Sequence, residues 1–231
     1  MGKIYHTKWP TFWESLELDK TNHPVISVVG AGGKTSLIHQ LSGELSDKRM
    51  NHIILTTTHM WPVRSGKYTF QSGAIGKDGK LLPPTAEELK KCLEMKWPLL
   101  IEADGSRGLP CKAPELWEPV IIKETTHVFA VIGASALGKK VAECCHRPGR
   151  VMELLGCDEN HTLTLEDMAV LAWDNRGLHK GVGEGQSYGL VINQVDDEAC
   201  YEKMLPLAES CEARGLKKLW FTKLNAESKG E

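Results

Sequence analysis

The chain has 231 residues, of which 41% are hydrophobic and 25% are charged, and its formal net charge is −2. This composition is typical of a globular domain with a substantial core, and it excludes an intrinsically disordered chain. The nearly neutral charge provides no field that would attract nucleic acid or an anionic membrane, so neither is expected as a partner.

Short apolar runs alternate along the chain with segments of helical periodicity. The runs predict six strands: Val25–Val29, His52–Thr57, Leu99–Ala103, Val128–Ile132, Leu190–Asn193 and Lys218–Thr222. The apolar spacing predicts four helices: Lys34–Leu45, Ala86–Lys96, Leu165–Trp173 and Asp197–Arg214, the last interrupted or bent near Pro206. Continuous apolar strands separated by helices favour an α/β fold with three layers and a mostly parallel central sheet.

One segment, residues 61–82, departs from this alternation. It contains Gly76-Lys77-Asp78-Gly79-Lys80, which is typical of a turn between two short strands. The segment is therefore predicted to be an inserted hairpin or flap. Because the chain shows no repeat, low-complexity tract or linker, we expect a single domain over residues 1–231.

The most informative motif lies between the first strand and the first helix, where the sequence is Gly30-Ala31-Gly32-Gly33-Lys34-Thr35-Ser36. In a P-loop, backbone N–H groups bind the phosphates, the lysine reaches the β- and γ-phosphate oxygens, and the hydroxyl residue binds Mg²⁺. The strand, loop and helix follow one another as this motif requires. The sequence therefore predicts that the chain binds ATP or GTP with Mg²⁺ in a P-loop NTPase-like fold.

Two comparisons refine this prediction. The standard P-loop has glycine at the position of Val28, and the shorter G-x-x-G-K-T spacing is similar to the loop of the ATP-binding Mur ligases. A dinucleotide-binding fold is disfavoured, because it needs glycine at the position of Thr35 and an acidic residue after the second strand. That strand instead ends in three threonines and His59.

The third predicted strand ends in two carboxylates, Glu102 and Asp104. Being two residues apart, they face the same side of an extended chain. We predict that at least one of them binds Mg²⁺ or orients the attacking water. Thr58, at the end of the second strand, is a further candidate for Mg²⁺, with an ordinary β-branched strand end as the alternative.

Basic residues follow the acidic strand end. Arg107 and Lys112 are predicted to contact phosphate or an anionic substrate, with a solvated loop as the alternative. Cys144 and Cys145 are adjacent and lack a second pair at zinc spacing, so no structural metal site is expected there. The neighbouring His146 and Arg147 are candidates for polar residues that line the ligand crevice.

The fifth predicted strand ends in Asn193-Gln194-Val195-Asp196. GTP-binding proteins carry Asn-Lys-x-Asp at this place, where the aspartate accepts hydrogen bonds from guanine. Asn193 and Asp196 are accordingly predicted to contact the nucleotide, with an ordinary Asx turn as the alternative. Since Gln194 replaces the lysine, both ATP and GTP remain open.

The seven cysteines are scattered without a Cys-x-x-Cys pair, which indicates reduced thiols. The first residues show neither a signal-peptide pattern nor a match to the myristoylation motif, and no apolar run is long enough to span a membrane. These features predict a cytoplasmic protein.

Several segments occur in an order that resembles a known family: VVGAGGKTSLIHQLSGEL, TTTHMWP, LLIEADGSRGLPCKAPELWEPVI, VIGASALGK, HRP and VINQVD. From about Pro24 to Phe221 the chain resembles the YqeC family. The resemblance implies a cytoplasmic bacterial protein that acts in the maturation of selenium-dependent molybdenum hydroxylases, with the hydroxylase or its cofactor precursor as partner. Gln194 departs from the lysine of the family motif. The motif order is also similar to P-loop GTPases that help insert metals into enzymes, an analogy of fold.

Three functions are consistent with these features: a slow nucleoside triphosphatase with an accessory role, a phosphotransferase or ligase acting on a small cofactor precursor, and a nucleotide-sensing module without chemistry. The predicted catalytic residues are Lys34, Glu102 and Asp104. The predicted nucleotide contacts are Gly30, Ala31, Gly32, Gly33, Lys34, Thr35, Ser36, Arg107, Asn193 and Asp196. The predicted Mg²⁺ ligands are Thr35, Thr58, Glu102 and Asp104.

Overall fold

The structure is a computed structural model that describes residues 3–4, 11–16, 18, 23–63 and 66–224, with only the backbone described at residues 3–4. Most of the N-terminal segment on which the expectations about a signal peptide and lipid attachment rest lies outside these ranges. Within them, no helix combines the length and apolar character that a bilayer crossing requires.

Over the described ranges the chain forms ten strands and seven α-helices. The strands are β1 (Lys3–Ile4), β2 (Val25–Gly30), β3 (His52–Thr56), β4 (Thr69–Gln71), β5 (Leu99–Glu102), β6 (Cys111–Lys112), β7 (His127–Gly133), β8 (Cys145–His146), β9 (Ser187–Asn193) and β10 (Leu219–Lys223). The helices are α1 (Phe12–Ser15), α2 (Lys34–Asp47), α3 (Ala86–Glu94), α4 (Val141–Cys144), α5 (Pro148–Leu155), α6 (Leu165–Trp173) and α7 (Glu198–Ala213).

Eight strands form one sheet in the order β1-β10-β9-β7-β2-β5-β3-β4. All neighbours pair in parallel except β1, which runs antiparallel to β10. The prediction of an α/β fold with a mostly parallel sheet is confirmed. Because β2 lies between β5 and β7, the loop after β2 meets the carboxyl ends of both neighbours, where parallel sheets bind their ligands.

Helices cover both faces of this sheet, and the central strands β2, β3 and β5 are buried along their whole length. Ile26 and Val28 of β2 pack on one face in a cluster with α1 and α2. Val25 and Val29 face the other side, where they belong to clusters that contain α3 at one end and α6 and α7 at the other. The predicted three-layer arrangement follows from this alternation of side chains.

The segment 61–82 contributes more to the fold than the predicted hairpin. The predicted turn is present, since the Gly76 N–H donates to the Lys80 carbonyl at 2.7 Å and Ile75 bridges antiparallel to Leu81. The segment also provides β4, which pairs in parallel with β3 and extends the sheet by one strand. Residues 64–65 lie outside the described part of this segment.

Helix α7 runs without interruption through Pro206, so of the two predicted alternatives the interruption is wrong and the bend stays a prediction. Proline has no N–H to donate to the carbonyl four residues earlier, which belongs here to Glu202. Both residues are exposed, so water can satisfy that carbonyl. The position of Pro206 on the solvent side therefore allows the helix to continue.

Candidate functional site

The loop between β2 and α2 requires glycine at three positions. Gly30, Gly32 and Gly33 have φ angles of 97°, 82° and 137°, which side-chain-bearing residues rarely adopt. A Cβ at Gly30 would lie 2.3 Å from the Val131 carbonyl oxygen, and one at Gly32 would lie 2.3 Å from the Gly133 nitrogen. The loop is therefore packed against the end of β7, which holds its shape.

The N–H groups of this loop fall into two sets. The first three donate within the protein: Gly30 to Asp104 Oδ2 (3.0 Å), Ala31 to the Val131 carbonyl (2.9 Å) and Gly32 to the Leu109 carbonyl (2.9 Å). Within the described part of the chain, the N–H groups of residues 33–36 make no hydrogen bond. These four N–H groups, at the start of the 14-residue helix α2, are the ones available to an anion.

The Lys34 side chain turns back toward the loop and is buried. Its ammonium group donates to the Gly30 carbonyl at 2.9 Å and to Ser106 Oγ at 3.0 Å. It also lies 3.3 Å from Asp104 Oδ1. A positive charge is thus bonded to the first residue of the loop whose later N–H groups are free, and both features attract negative charge.

Asp104 is fully buried between two ammonium groups. Its Oδ2 lies 3.0 Å from Lys112 Nζ, on the side opposite Lys34. Lys112 is also fully buried and donates to Glu118 Oε2 at 2.9 Å and to the Gly105 carbonyl at 2.7 Å. The alternative of Lys112 as a solvated loop residue is therefore excluded, because every one of its contacts is internal.

Glu102 and Thr35 form the second carboxylate site. Thr35 Oγ1 donates to Glu102 Oε2 at 2.8 Å. Burial raises the pKa of the Glu102 carboxyl, against the opposing effects of Lys34 and Thr35. A hydroxyl next to a carboxylate offers the hard oxygen ligands that Mg²⁺ prefers. Because the described residues include no group of three metal-binding side chains, Mg²⁺ at this pair would need phosphate oxygens or water for its remaining ligands.

Thr58 lies two residues beyond the end of β3. Thr56 pairs in register with Glu102 and donates its hydroxyl to the Glu102 carbonyl at 2.9 Å. The Thr58 N–H in turn donates to Thr56 Oγ1 at 3.0 Å. These bonds place Thr58 just beyond the end of β3, the neighbour of the strand β5 that carries Glu102. Its role as an Mg²⁺ ligand stays a prediction.

The Asn193-Gln194-Val195-Asp196 segment has two different parts. Asn193 is buried; its Nδ2 donates to the Gly32 carbonyl at 2.9 Å and its Oδ1 accepts from the Leu224 N–H at 2.8 Å. It therefore links the loop between β2 and α2 to the backbone that follows β10. The Asp196 side chain is 71% exposed and has an ion pair with Lys223 at 3.9 Å. Of the two predicted nucleotide contacts, Asp196 is therefore accessible to a ligand, whereas the Asn193 amide is buried.

The predicted basic residues are placed in different environments. Arg107 is exposed, with a left-handed φ of 50°. Arg147 donates to both oxygens of Glu118, each at 3.3 Å. His146 is buried in β8 beside Lys112 in β6, and burial followed by the charge of Lys112 lowers the pKa of its imidazole.

Sequence patterns did not identify Glu118 or Ser106 as part of this site. Glu118 binds Lys112 and Arg147, and Ser106 accepts from Lys34. Glu118 lies in a loop with no regular spacing to either cationic partner. Only the close approach of three separate chain segments brings these charges together.

The part of the chain that matches known proteins includes the residues of this site. A family model described as YqeC protein matches residues 26–149, which include the glycine-rich loop at residues 30–36, both carboxylates and Glu118. The chain is 37% identical over 195 residues to a protein of Escherichia coli (strain K12) named uncharacterized protein YqeC. That alignment covers 74% of this chain and 76% of the relative. No solved structure matches the chain.

Proposed function

The chain belongs to the YqeC family, and we propose that it binds ATP or GTP with Mg²⁺ and hydrolyses the nucleotide slowly. The observation that carries this proposal is the buried ammonium of Lys34, which is bonded to the Gly30 carbonyl in a loop whose N–H groups at residues 33–36 are free. A fixed positive charge at a helix N-terminus is the arrangement by which P-loops bind phosphate.

The site residues suggest a division of roles. Lys34 and the N–H groups of residues 33–36 would bind and neutralise the phosphates. Thr35 and Glu102 would hold Mg²⁺, which supplies further charge neutralisation on the β- and γ-phosphate oxygens when bound. Hydrolysis is expected to be slow, since Arg147 is bonded to Glu118 and Arg107 is exposed, so neither is fixed as an arginine finger.

The basic test is titration calorimetry with non-hydrolysable ATP and GTP analogues, with and without Mg²⁺, followed by an assay of phosphate release from ATP and GTP. We expect Mg²⁺-enhanced binding of at least one analogue and slow release of phosphate. If neither analogue binds, the proposed nucleotide-binding function is wrong. Binding without any release, alone or with a protein partner, would instead favour a nucleotide-sensing module.

The cellular role that we propose rests on the family resemblance. It is an accessory function in the maturation of selenium-dependent molybdenum hydroxylases, with the hydroxylase or its cofactor precursor as partner. We expect hydroxylase activity to be lost in a strain that lacks this protein and to return with the wild-type gene. Unchanged activity in the deletion strain would argue against this role.

A phosphotransferase or ligase is the second candidate. Arg107 favours it, because this exposed cation follows Ser106, which contacts the Lys34 ammonium. Lys112 and Arg147 offer less support, since internal carboxylates already bind both. Product analysis separates the two functions: release of phosphate at the same rate without any small acceptor supports the hydrolase.

Replacement of Glu102 with glutamine tests the Mg²⁺ assignment. We expect Glu102→Gln to remove the Mg²⁺-dependent gain in nucleotide affinity while binding without Mg²⁺ stays unchanged, because the amide retains a hydrogen bond to Thr35 but loses the charge. Calorimetry at several Mg²⁺ concentrations measures this difference. Thr35→Ser, which keeps the hydroxyl, is the control and should retain the Mg²⁺ effect. A wild-type Mg²⁺ response in Glu102→Gln would assign the metal elsewhere.

Replacement of Asp196 tests the base contact. Guanine presents two adjacent N–H donors that match a carboxylate, and adenine does not. We therefore expect Asp196→Ala to weaken binding of the GTP analogue by about tenfold or more, because both bonds to the charged carboxylate are lost, and to leave the ATP analogue unchanged. Glu202→Ala, which removes an exposed carboxylate from α7, should change neither. Equal losses for both analogues would exclude guanine recognition by Asp196.

A further inference from the structure

Asp104 shares its negative charge between two buried lysines. Lys34 Nζ lies 3.3 Å from Oδ1, and Lys112 Nζ lies 3.0 Å from Oδ2. The Gly30 N–H also donates to Oδ2 at 3.0 Å. In the described structure Oδ1 has no hydrogen-bond partner, so its one close ionic contact is the Lys34 ammonium.

This arrangement places Asp104 in competition with phosphate. Both need the ammonium of Lys34, which is buried. A buried carboxylate that lost its only counter-ion would carry a large desolvation cost, and that cost would oppose nucleotide binding. Lys112 lies 3.0 Å from Oδ2 and would remain there as a counter-ion if Lys34 turned toward a phosphate.

Lys112 is itself held in place by acceptors on other segments. Glu118 Oε2 lies 2.9 Å from its ammonium, and the Gly105 carbonyl lies 2.7 Å away. Burial acts to raise the pKa of the Glu118 carboxyl, but the bonds from Lys112 and Arg147 outweigh it and lower that pKa. Glu118 therefore remains ionised, and Lys112 has a permanent partner of opposite charge in addition to Asp104.

We propose that Lys112 is a positioning residue for the phosphate site, which neutralises Asp104 and thereby frees Lys34 to bind phosphate. The inference rests on the proposed nucleotide function. This positioning role differs from a merely structural role in one respect. Loss of Lys112 should weaken nucleotide binding only when residue 104 is a charged aspartate.

A double-mutant cycle of unfolding free energies tests, without any nucleotide, whether both lysines neutralise Asp104. The variants are Lys34→Met, Lys112→Met and the double variant, and their urea midpoints are compared with the wild type. We expect the double variant to lose more stability than the sum of the single variants, because only then does Asp104 lose both ammonium groups. Additive losses would overturn the idea that the two lysines compensate for each other.

Nucleotide affinity tests the positioning role. We expect Lys112→Met to weaken binding of the better analogue by about tenfold, and Lys112→Met combined with Asp104→Asn to recover the affinity of Asp104→Asn alone. The combined variant lacks both the Lys112 charge and the Asp104 charge, so Asp104 is not left as a buried unpaired carboxylate. It can therefore be measured even if Lys112→Met alone folds poorly. Lys123→Met, at a 90% exposed side chain, is the control.

The outcomes are distinct. If the wild type binds neither analogue, the proposed function fails, and the unfolding cycle alone decides whether the lysines share Asp104. If the wild type binds and the combined variant stays about tenfold weaker than Asp104→Asn, Lys112 does not act through Asp104 and the inference is wrong.

Discussion

Replacement of Lys34 with alanine should reduce nucleotide affinity by about 100-fold, or roughly 2.7 kcal/mol, because the phosphates lose a charge-assisted contact in a buried site. Titration calorimetry with the better analogue and Mg²⁺ measures the loss. The Lys34 ammonium lies 2.9 Å from the Gly30 carbonyl, so the charge is located at the loop. Exposed lysines elsewhere cannot replace a charge held at that position.

Lys123→Ala is the matched control for this experiment. Its side chain is 90% exposed and has a 3.7 Å ion pair with Glu124, so we expect unchanged affinity. The Lys34→Ala protein should still fold, because Asp104 retains Lys112 and the Gly30 N–H. A folded Lys34→Ala protein with wild-type affinity would contradict the phosphate site.

Replacement of Gly33 with alanine should destabilise the protein by about 2–4 kcal/mol, the sum of backbone strain and a steric clash. Gly33 has a φ angle of 137°, and a Cβ there would lie 2.1 Å from Asn193 Nδ2. Relief of the clash requires Asn193 to move, which would break its bond to the Gly32 carbonyl. Urea unfolding followed by circular dichroism measures the loss of stability.

Gly43→Ala makes the same chemical change in the middle of α2 and serves as the control. A Cβ at Gly43 would meet no atom within 4 Å. We expect this variant to be about 0.5–1 kcal/mol more stable than the wild type, the usual gain from alanine in a helix. If Gly33→Ala and Gly43→Ala unfold at the same urea concentration, the contact between the loop and Asn193 is not important for stability.

The sequence supported the prediction of all six long strands, because their apolar runs reflect burial on both faces of the sheet. It did not reveal the short elements. Helix α1 spans four residues, and its first N–H groups, those of Phe12 and Trp13, donate to the buried Glu44 of α2. Strands β6 and β8 have two residues each and exist through their pairing with each other. Such elements depend on distant partners rather than on local periodicity.

Helix α5 is a different case, since local indicators of its ends were present. It begins with Pro148 and ends before Gly156, which adopts the left-handed conformation. A proline near the first position and a glycine after the last are typical of helix termini. The eight-residue helix was predictable from this pattern together with the apolar spacing between them.

The sequence by itself determined the glycine-rich loop between β2 and α2, because glycines, lysine and threonine follow a strand within seven consecutive residues. It also determined that carboxylates stand at the neighbouring strand end. Only the tertiary structure separated their roles: Glu102 accepts from Thr35, whereas Asp104 lies between Lys34 and Lys112. In the sequence, Glu102 and Asp104 are both acidic residues at the end of one apolar run, so nothing local separates their roles. What distinguishes them is which charges the folded chain brings within bonding distance.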